Sequence, residues 1–546
     1  MQGSSILGNL GISTNNDHFL IMDRAMINYW WVTRPKRKLN SIPDVLSVFS
    51  EISLNEEWEG QRDAHLIFEE ALEGSELKRI GARRDQTGGG GRTYKAWVTS
   101  LGLVFTQAST GHIKLTLAGE AIMNGDSPVK VLKKQILCYQ FPSHYSISRG
   151  VKVSPRFRLR PFLFLLRLLM DDRIGHLTQE EIAKIVITEA ENESDNCFEY
   201  IVKKISNYRN FGDSVLEKNF AEKYKPSKGA VNVENPYRHL EDVANTILNW
   251  LEYTQLVKRE NGKVAVLSDK RDEVLDILNE PIPFIDRPHE EEYFQRKYGV
   301  DPKHTKDTRN LTASRTITPR MLDENKIRRL FIAESLKRPI TKIDSRIVDS
   351  LVEKSGIHER LVEEVLLKYY PRGSVGAFMT EYFEMAFRGR DNAVDFEKST
   401  AEIFSDLFNY KTVHVGPVGL TPDILVLSDE DGYQAIIDNK AYSSYSINND
   451  HHNRMVHNYI EGLSCYSNSP YPLVFFSYIA GGFGVNIDSQ ISKIYNETQV
   501  YGSAVTVSNM IHLIEEFSEK QITHKSLREI FSINRQVLKS DIDLRK

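Results

Sequence analysis

The stretch LTPDILVLSDEDGYQAIIDNKAY, residues 420–442, limits the fold more than any other part of the sequence. Apolar runs at 424–427 and 435–437 lie on either side of a polar turn at 428–432. Short apolar runs that flank a turn ending in glycine predict a β-hairpin. Charged residues stand at the outer ends of both strands, where burial makes charge costly. These charged side chains therefore need either a compensating partner or a functional role.

The charged residues are Asp423, at the start of the first strand, and Asp438 and Lys440, at the end of the second. Antiparallel pairing places the start of one strand beside the end of the other, and residues two apart share a face. We therefore expect the three side chains to converge, with the backbone carbonyl of Asn439 nearby. Two carboxylates and a carbonyl suit Mg²⁺ completed by water and a phosphate. The pattern predicts metal-assisted hydrolysis of a phosphodiester, with Lys440 orienting the attacking water.

The motif is short, and its context decides between interpretations. The same acid-x-lysine spacing occurs at 301–303 and 324–326, where a surface ion pair is the simpler explanation. Around 423–440, by contrast, both arms are apolar strands, with helices and a further buried-type strand beside them. The preceding helix contains Glu402, which is either a third acid of the site or an ordinary exposed carboxylate.

Length and composition indicate a multidomain globular protein. The chain has 546 residues, of which 40% are apolar and 26% charged, and two to four domains are expected. No apolar run approaches the length of a membrane span, and the N-terminus lacks the pattern of a signal peptide. The three cysteines lie far apart without a CxxC pair, which argues against a zinc ribbon or a disulfide framework. We therefore expect a cytoplasmic protein.

The order of predicted elements indicates four segments in a multidomain α+β protein. Residues 1–150 and 151–285 each end in helix, two strands, helix, which is typical of a winged helix, and both are predicted to recognise DNA. Residues 286–373 are predicted to be a linker that is helical in its second half, because 281–318 are rich in proline and charge. Residues 374–546 predict a mixed α/β domain.

Basic residues in the first two segments are candidate contacts to double-stranded DNA. The net charge of −4 does not by itself indicate a polyanionic partner, but basic residues cluster locally. Arginine and lysine hold phosphates or read guanine edges, and the glycine run at 88–91 is expected to let the backbone approach DNA. Solvated surface charge is the alternative for each cluster. The candidates are Arg34, Lys36, Arg37, Arg83, Arg84, Arg92, Lys95, Arg156, Arg158 and Arg160.

Two parts of the chain resemble known families. TPDILVL and YQAIIDNKAYSSYS, with the later strand LVFFSYIAGGFG and the segment GSAVTVSNMIHLIEE, resemble the PD-(D/E)xK cleavage domain of the FokI family. YWWVTRPKRKL at 29–39, RRDQTGGGGRTYKAWVTSLGLVF, HIKLTLAGE at 112–120 and QFPSH at 140–144 resemble AlwI-type restriction and nicking endonucleases. The resemblance implies N-terminal DNA recognition, a linker, and a C-terminal nuclease domain that cuts outside an asymmetric site.

One helix departs from the FokI pattern. In that family an Asp/Arg pair, four residues apart on the helix after the catalytic lysine, joins two nuclease domains. Here Arg454 stands in the place of the aspartate and Asn458 in the place of the arginine. Pairing with a second copy of the chain through this helix is therefore in doubt. His451, His452 and His457 on the same helix have the wrong spacing for a zinc site, and we expect them to face DNA or a dimer surface.

The sequence thus predicts a type IIS restriction endonuclease that requires Mg²⁺. One alternative is a strand-specific nickase, or one subunit of a two-chain enzyme, as the altered helix indicates. Another is a non-catalytic winged-helix regulator with a vestigial nuclease domain, against which the intact Asp423, Asp438 and Lys440 argue.

Overall fold

A computed structural model describes residues 26–81, 87–148, 150–226, 231–311, 318–371, 373–387, 393–414, 420–519 and 522–544. It is a mixed α and β structure, as the sequence predicts. Within the described ranges, no helix is both long enough and apolar enough to cross a bilayer.

The first segment is mostly helical and contains one small antiparallel sheet. Thr116 caps one helix by accepting a hydrogen bond from the N–H of Gly119, and Ser127 followed by Pro128 begins the next. The helices are α1 Ile42–Ser53, α2 Arg62–Gly74, α3 Gly89–Ser100, α4 Leu117–Met123, α5 Pro128–Leu137, α6 His144–Ile147 and α7 Pro161–Met170, and the strands are β1 Val104–Thr106 and β2 Ile113–Leu115.

The second segment has a three-stranded antiparallel sheet in the order β3-β5-β4. Thr178 and Glu181 form a capping box at its first helix, as their spacing predicts. Its elements are β3 Leu177–Thr178, α8 Gln179–Glu181, α9 Ile187–Glu189, α10 Asp195–Phe211, α11 Phe220–Lys223, α12 Arg238–Tyr253, β4 Val257–Glu260, β5 Lys263–Val266 and α13 Arg271–Asn279. Both segments contain helices followed by a small sheet, and the winged-helix interpretation stays a prediction.

The expected linker is packed against the first segment in its first half. Helix α14, Glu291–Tyr298, buries Phe294 and Tyr298 in the N-terminal core. The carboxylates of Glu291 and Glu292 accept hydrogen bonds from the N–H groups of Thr106 and Ala108, at 3.0 and 2.9 Å. The composition indicated a linker, but these aromatic anchors bind the segment to the β1–β2 sheet. The second half is helical as predicted, with α15 Pro319–Ser335, α16 Ser345–Ser355 and α17 Glu359–Tyr369.

The C-terminal segment is built on a six-stranded sheet of order β11-β10-β9-β8-β7-β6. Strands β6 to β8 pair antiparallel, and β8 to β11 pair parallel. Its elements are α18 Gly376–Met385, α19 Ala393–Glu402, β6 Lys411–His414, β7 Ile424–Ser428, β8 Tyr433–Lys440, α20 Asn449–Asn453, β9 Leu473–Ala480, α21 Ile487–Thr498, β10 Tyr501–Thr506, α22 Val507–Glu519, α23 His524–Phe531, β11 Arg535–Gln536 and α24 Lys539–Asp543. A π-helical turn, Arg454–Ile460, continues α20.

The N-terminal segments and the C-terminal sheet have separate hydrophobic cores. One core runs from Ile27 to Leu336 and includes side chains of both N-terminal segments. The C-terminal sheet has a core on each face, because successive strand residues point to opposite sides. Ile424 and Ile437 belong to the face covered by α18, α19 and α22, and Leu425 and Ile436 to the face covered by α20 and α21.

Candidate active site

The predicted hairpin is confirmed, and its register sets the geometry of the candidate site. Strands β7 and β8 pair antiparallel with Ile424 opposite Ile437. Gly432 closes the turn with a φ of +64°, a left-handed conformation that glycine adopts without strain. Asp423, just before β7, therefore lies beside the end of β8, where Asp438 and Lys440 are found.

The structure brings Asp423, Asp438 and Lys440 together. Nζ of Lys440 lies 2.6 Å from Oδ2 of Asp438. The N–H of Asn439 donates to Oδ2 of Asp423 at 2.7 Å, which ties the first carboxylate to the second strand. By alternation, all three charged side chains share the sheet face of Leu425 and Ile436.

Burial and like charge make this cluster electrostatically unusual. Burial raises the pKa of Asp423 well above its ordinary value, and the charge of Asp438 raises it further, while Lys440 opposes both. Burial alone lowers the pKa of Lys440, but the two carboxylates outweigh it and the net direction is upward. The two carboxylates thus favour the protonated form of the lysine. Perturbed groups of this kind concentrate at functional sites.

The donor set fits a hard divalent cation. Oδ1 of Asp438 is buried and has no hydrogen-bond partner in the described part of the chain. Two carboxylates face one ammonium, so the cluster carries an excess of negative charge. A bound cation with a preference for oxygen ligands removes both costs at once. Asp423 and Asp438 are the side chains placed to hold it.

On the helix before the hairpin, Glu397 is the acid whose charge acts on Asp423, and the predicted role of Glu402 stays a prediction. The charge of Glu397 raises the pKa of Asp423, so this carboxylate acts on the cluster. The groups that act on Glu402 are instead Asp406, Arg338 and Lys398. The two glutamates are five positions apart on α19, and a helix turns them to different directions. Sequence spacing alone did not distinguish them.

Asn439 contributes through its backbone and is anchored by its side chain. Its Nδ2 donates to Oγ1 of Thr400 on α19 at 2.6 Å, on the sheet face opposite Asp438. This bond joins α19 to the strand that carries the acidic cluster. The predicted role of the Asn439 carbonyl as a metal ligand stays a prediction.

Comparisons with known families agree with this geometry. The FokI cleavage domain family matches residues 356–538, and the AlwI restriction endonuclease family matches residues 99–348. The resemblance to type IIS restriction endonucleases is confirmed. We refer to the two matched regions as the FokI-like part and the AlwI-like part. The stretch at 29–39 lies outside both, whereas 112–120 and 140–144 lie within the AlwI-like part.

Solved structures show only remote similarity. The restriction endonuclease FokI aligns over 94% of this chain and 100% of its own, with 16% identity and a TM-score of 0.28. FokI bound to DNA aligns over the same shares with 15% identity and a TM-score of 0.27. The BpuJ1 endonuclease binding domain, in complex with modified DNA, covers 53% of this chain and 91% of its own, with 14% identity and a TM-score of 0.27. TM-scores this low do not establish a shared fold. Among curated proteins, none matches this chain.

In the FokI-like part, the helix after Lys440 has its own local pairing. Arg454, in the place of the family's aspartate, contacts Asp450 of the preceding turn at 3.0 Å. The three histidines have separate partners and do not share a site. Nδ1 of His451 contacts Tyr445, Nε2 of His452 contacts Glu497, and Nδ1 of His457 contacts Glu461.

The basic residues near the N-terminus have mixed surroundings. Arg34 stacks on Trp31 at 4.4 Å, and burial lowers its pKa. Lys36 is half-buried, with its pKa lowered by burial and raised in part by Asp44. Arg37 is exposed and pairs with Asp242 at 2.7 Å. The DNA-binding role of these residues stays a prediction.

The glycine run has a packing role that sequence reasoning missed. A Cβ on Gly88 would lie 2.5 Å from Cβ of His65, and one on Gly91 would lie 2.4 Å from the carbonyl oxygen of His65. The glycines thus allow α3 to approach α2 closely. Arg92 next to them bonds to Thr87, and Lys95 is largely buried, 3.6 Å from Glu59. Arg83 and Arg84 lie outside the described residues.

The three arginines before α7 divide into two kinds. Arg156 pairs with Glu191 and also donates to Asn28 and to the carbonyl of Thr188. Arg160 pairs with Glu193 and donates to the carbonyl of Ile282. Arg158 between them is exposed and lies 5.5 Å above the ring of Phe284.

Proposed function

We propose that this chain is an Mg²⁺-dependent restriction endonuclease that binds a short asymmetric site in duplex DNA and hydrolyses phosphodiester bonds at a fixed distance outside it. The observation that carries the proposal is the buried cluster of Asp423, Asp438 and Lys440, with its unpartnered oxygen, inside the FokI-like part. The match to the AlwI-like part supports recognition of a specific DNA site by the preceding segments.

Each residue of the cluster has a distinct task in this proposal. Asp423 and Asp438, with the carbonyl of Asn439, hold the ion. A divalent ion supplies charge stabilisation at the phosphate and makes water a better nucleophile at neutral pH. Lys440, protonated and fixed on Asp438, donates a hydrogen bond to the attacking water or to a phosphate oxygen. We assign the additional acid of the site to Glu397 rather than to Glu402, because only Glu397 acts on Asp423.

The proposal divides the work along the chain. Residues 1–285 recognise duplex DNA, 286–373 connect, and 374–546 carry out hydrolysis. Among the predicted DNA contacts, Arg158 is the best placed because it is exposed and its guanidinium is not paired with a carboxylate in the described residues. Arg156 and Arg160 are better explained as supports that fix the chain around it.

A second function is favoured by the helix after Lys440. Arg454 and Asn458 replace the Asp/Arg pair, and Arg454 is already paired with Asp450. A chain that does not pair through this helix would cut one strand, as a nickase, or would act with a different subunit. Counting the strands cut in each product distinguishes this function from double-strand cleavage.

The test is plasmid cleavage by the purified full-length protein in Mg²⁺, with EDTA as the control and run-off sequencing of both strands. We expect cuts at a constant distance from one asymmetric sequence. Asp429→Ala is a matched control for Asp438→Ala, because Asp429 is exposed in the turn of the same hairpin and pairs with Lys411. Sequence-specific binding without any Mg²⁺-dependent cleavage would overturn the proposal in favour of a regulator.

A further inference from the structure

The histidines of the helix after Lys440 differ in what they face. His452 and His457 contact the carboxylates of Glu497 and Glu461, at 2.8 and 2.9 Å; the pair of His457 is exposed, whereas the ring of His452 is largely covered. His451 has no carboxylate partner in the described part of the chain. Its Nδ1 lies 2.8 Å from the hydroxyl oxygen of Tyr445. His451 therefore belongs to a different environment from its neighbour in sequence.

A continuous set of contacts joins His451 to the acidic cluster. Tyr478 on β9 is the register partner of Asp438, so the two side chains share a sheet face. The ring of Tyr478 lies 6.0 Å from Nζ of Lys440 and 5.5 Å from the ring of Tyr445. Tyr445 then contacts His451, both by its hydroxyl and by its ring at 5.6 Å. The imidazole is thus connected to Lys440 through the rings of Tyr445 and Tyr478.

The electrostatics agree with this placement and define the state of the imidazole. Burial lowers the pKa of His451 and Lys440 lowers it further, while Asp438 opposes them, so all three side chains act on one another. Burial also raises the pKa of Tyr445, which keeps its hydroxyl protonated. A phenol that donates to Nδ1 leaves the proton of the neutral imidazole on Nε2. Nε2 has no hydrogen-bond partner within the described residues.

We propose that His451, oriented by Tyr445, binds the DNA backbone at the active site, with its Nε2–H donating to a non-bridging oxygen of the phosphate that is cut. This inference rests on the proposed function and adds a substrate contact to it. The bond fixes the phosphate against the cluster of Asp423, Asp438 and Lys440. Tyr445 is a positioning residue, because it acts on the substrate only through the imidazole.

The experiment compares full-length His451→Ala, His451→Gln, Tyr445→Phe and His452→Ala. The cleavage rate of a plasmid that the wild type cuts is measured in Mg²⁺ as a function of protein concentration, and circular dichroism checks the fold. A donor to the reacting phosphate is worth up to 10²–10³ in rate when fully buried, so for this partly exposed histidine we expect His451→Ala to lower the saturating rate by about 10- to 100-fold. The half-saturating concentration should change little, and binding in EDTA should be unchanged.

The remaining variants make the result specific. Glutamine also presents an N–H donor, so His451→Gln should recover part of the rate. Tyr445→Phe keeps the aromatic ring but removes the hydroxyl that fixes the tautomer of His451. We expect the cleavage rate to fall by about 3- to 10-fold, less than when the imidazole donor itself is removed. His452→Ala should cleave within about twofold of the wild type, because His452 pairs with Glu497 rather than with Tyr445.

Two outcomes would overturn the inference. The first is a folded His451→Ala protein that cleaves at the wild-type rate. The second is an equal loss in His452→Ala, which would assign the effect to the helix rather than to His451. A wild-type protein that cuts no DNA would overturn the proposed function and this inference with it.

Discussion

Two buried charge clusters in this molecule use the same residue types and reach opposite results. In the active-site cluster, Asp423 and Asp438 face the single ammonium of Lys440, and the pKa of Asp423 is raised. In the junction cluster, the carboxylate of Glu273 on α13 lies between Lys133 on α5 and Lys270, at 2.6 and 3.4 Å, and the carboxylates of Glu515 and Asp269 act on the same two lysines. There burial raises the pKa of Glu273, but the two lysines outweigh it and hold the value at about 2.

The difference shows how a functional charge cluster can be distinguished from one that only stabilises the fold. In the junction cluster the carboxylate has two cationic partners, and Lys270 also donates to Oδ1 of Asn509 on α22 at 2.8 Å, which joins the N-terminal segments to the FokI-like part. Each cluster has one carboxylate oxygen without a hydrogen bond in the described residues, Oδ1 of Asp438 and Oε2 of Glu273, but Oε2 of Glu273 has the ammonium of Lys270 at 3.4 Å. A carboxylate held between two ammonium groups is structural, whereas two carboxylates that share one ammonium fit a metal ion.

The largest effect should come from removing the excess carboxylate. We expect Asp438→Ala to lower Mg²⁺-dependent cleavage by at least about 10³-fold, which is about 4 kcal/mol of transition-state stabilisation. Specific DNA binding and the melting temperature in EDTA should be preserved, because the change also relieves repulsion with Asp423. Cleavage assays and gel shifts check this expectation. Loss of specific binding at unchanged fold would show that the two clusters do not have separate roles.

Removing the carboxylate of the junction cluster should lower the stability of the fold and leave the cleavage reaction unchanged. Glu273→Gln removes the one carboxylate that contacts both Lys133 and Lys270, and leaves these ammonium groups with only Glu515 and Asp269 as opposite charges. We expect a loss of about 2–4 kcal/mol in the free energy of unfolding, as when one partner of a buried ion pair is removed. Thermal melting gives the stability, and the cleavage rate per folded molecule should stay near that of the wild type. A stable protein with impaired cleavage would contradict this assignment.

The two clusters should respond to pH with opposite signs. Glu273 has a folded pKa of about 2, below its ordinary 4.5, so its stabilisation is present above pH 4.5 and is lost as pH falls toward 2. Asp423 has a raised folded pKa, so its ionisation opposes folding increasingly as pH rises above 3.8.

Melting in EDTA across pH 4 to 8 measures both effects. Asp423→Asn should gain stability over the wild type as pH rises, because the amide does not ionise beside Asp438. The deficit of Glu273→Gln should shrink as pH falls below 4.5, the ordinary pKa of that carboxyl. If the stability differences of the two variants from the wild type changed with pH in the same direction, the distinction between the two clusters would be refuted.

The smallest effect concerns the two glutamates of α19, which form a matched pair. Glu397→Gln should reduce cleavage by about 10-fold, because it removes an acid that acts on Asp423, and tenfold corresponds to about 1.4 kcal/mol. Glu402→Gln should stay within about twofold, as its charged neighbours lie outside the cluster. Rates at several Mg²⁺ concentrations separate an effect on metal affinity from one on chemistry. Equal losses in both variants would remove the basis for preferring Glu397.

Several features could not be predicted from local pattern. The glycine run at 88–91 was expected to approach DNA, but Gly88 and Gly91 allow α3 to pack on α2. The segment with α14 was expected to be a linker, yet Phe294 and Tyr298 enter the core. In each case the role of the segment depends on contacts with residues far away in sequence, and local secondary-structure propensity does not identify those residues.

The sequence by itself determined the hairpin, the shared face of Asp438 and Lys440, and the proximity of Asp423, because strand alternation and turn chemistry are local properties of the chain. It also carried the resemblance to FokI-like and AlwI-like families. Only the tertiary structure decided which glutamate of α19 acts on Asp423 and which histidine contacts Tyr445. Those choices depend on how helices are rotated against the sheet, and that rotation is set by packing between residues far apart in sequence.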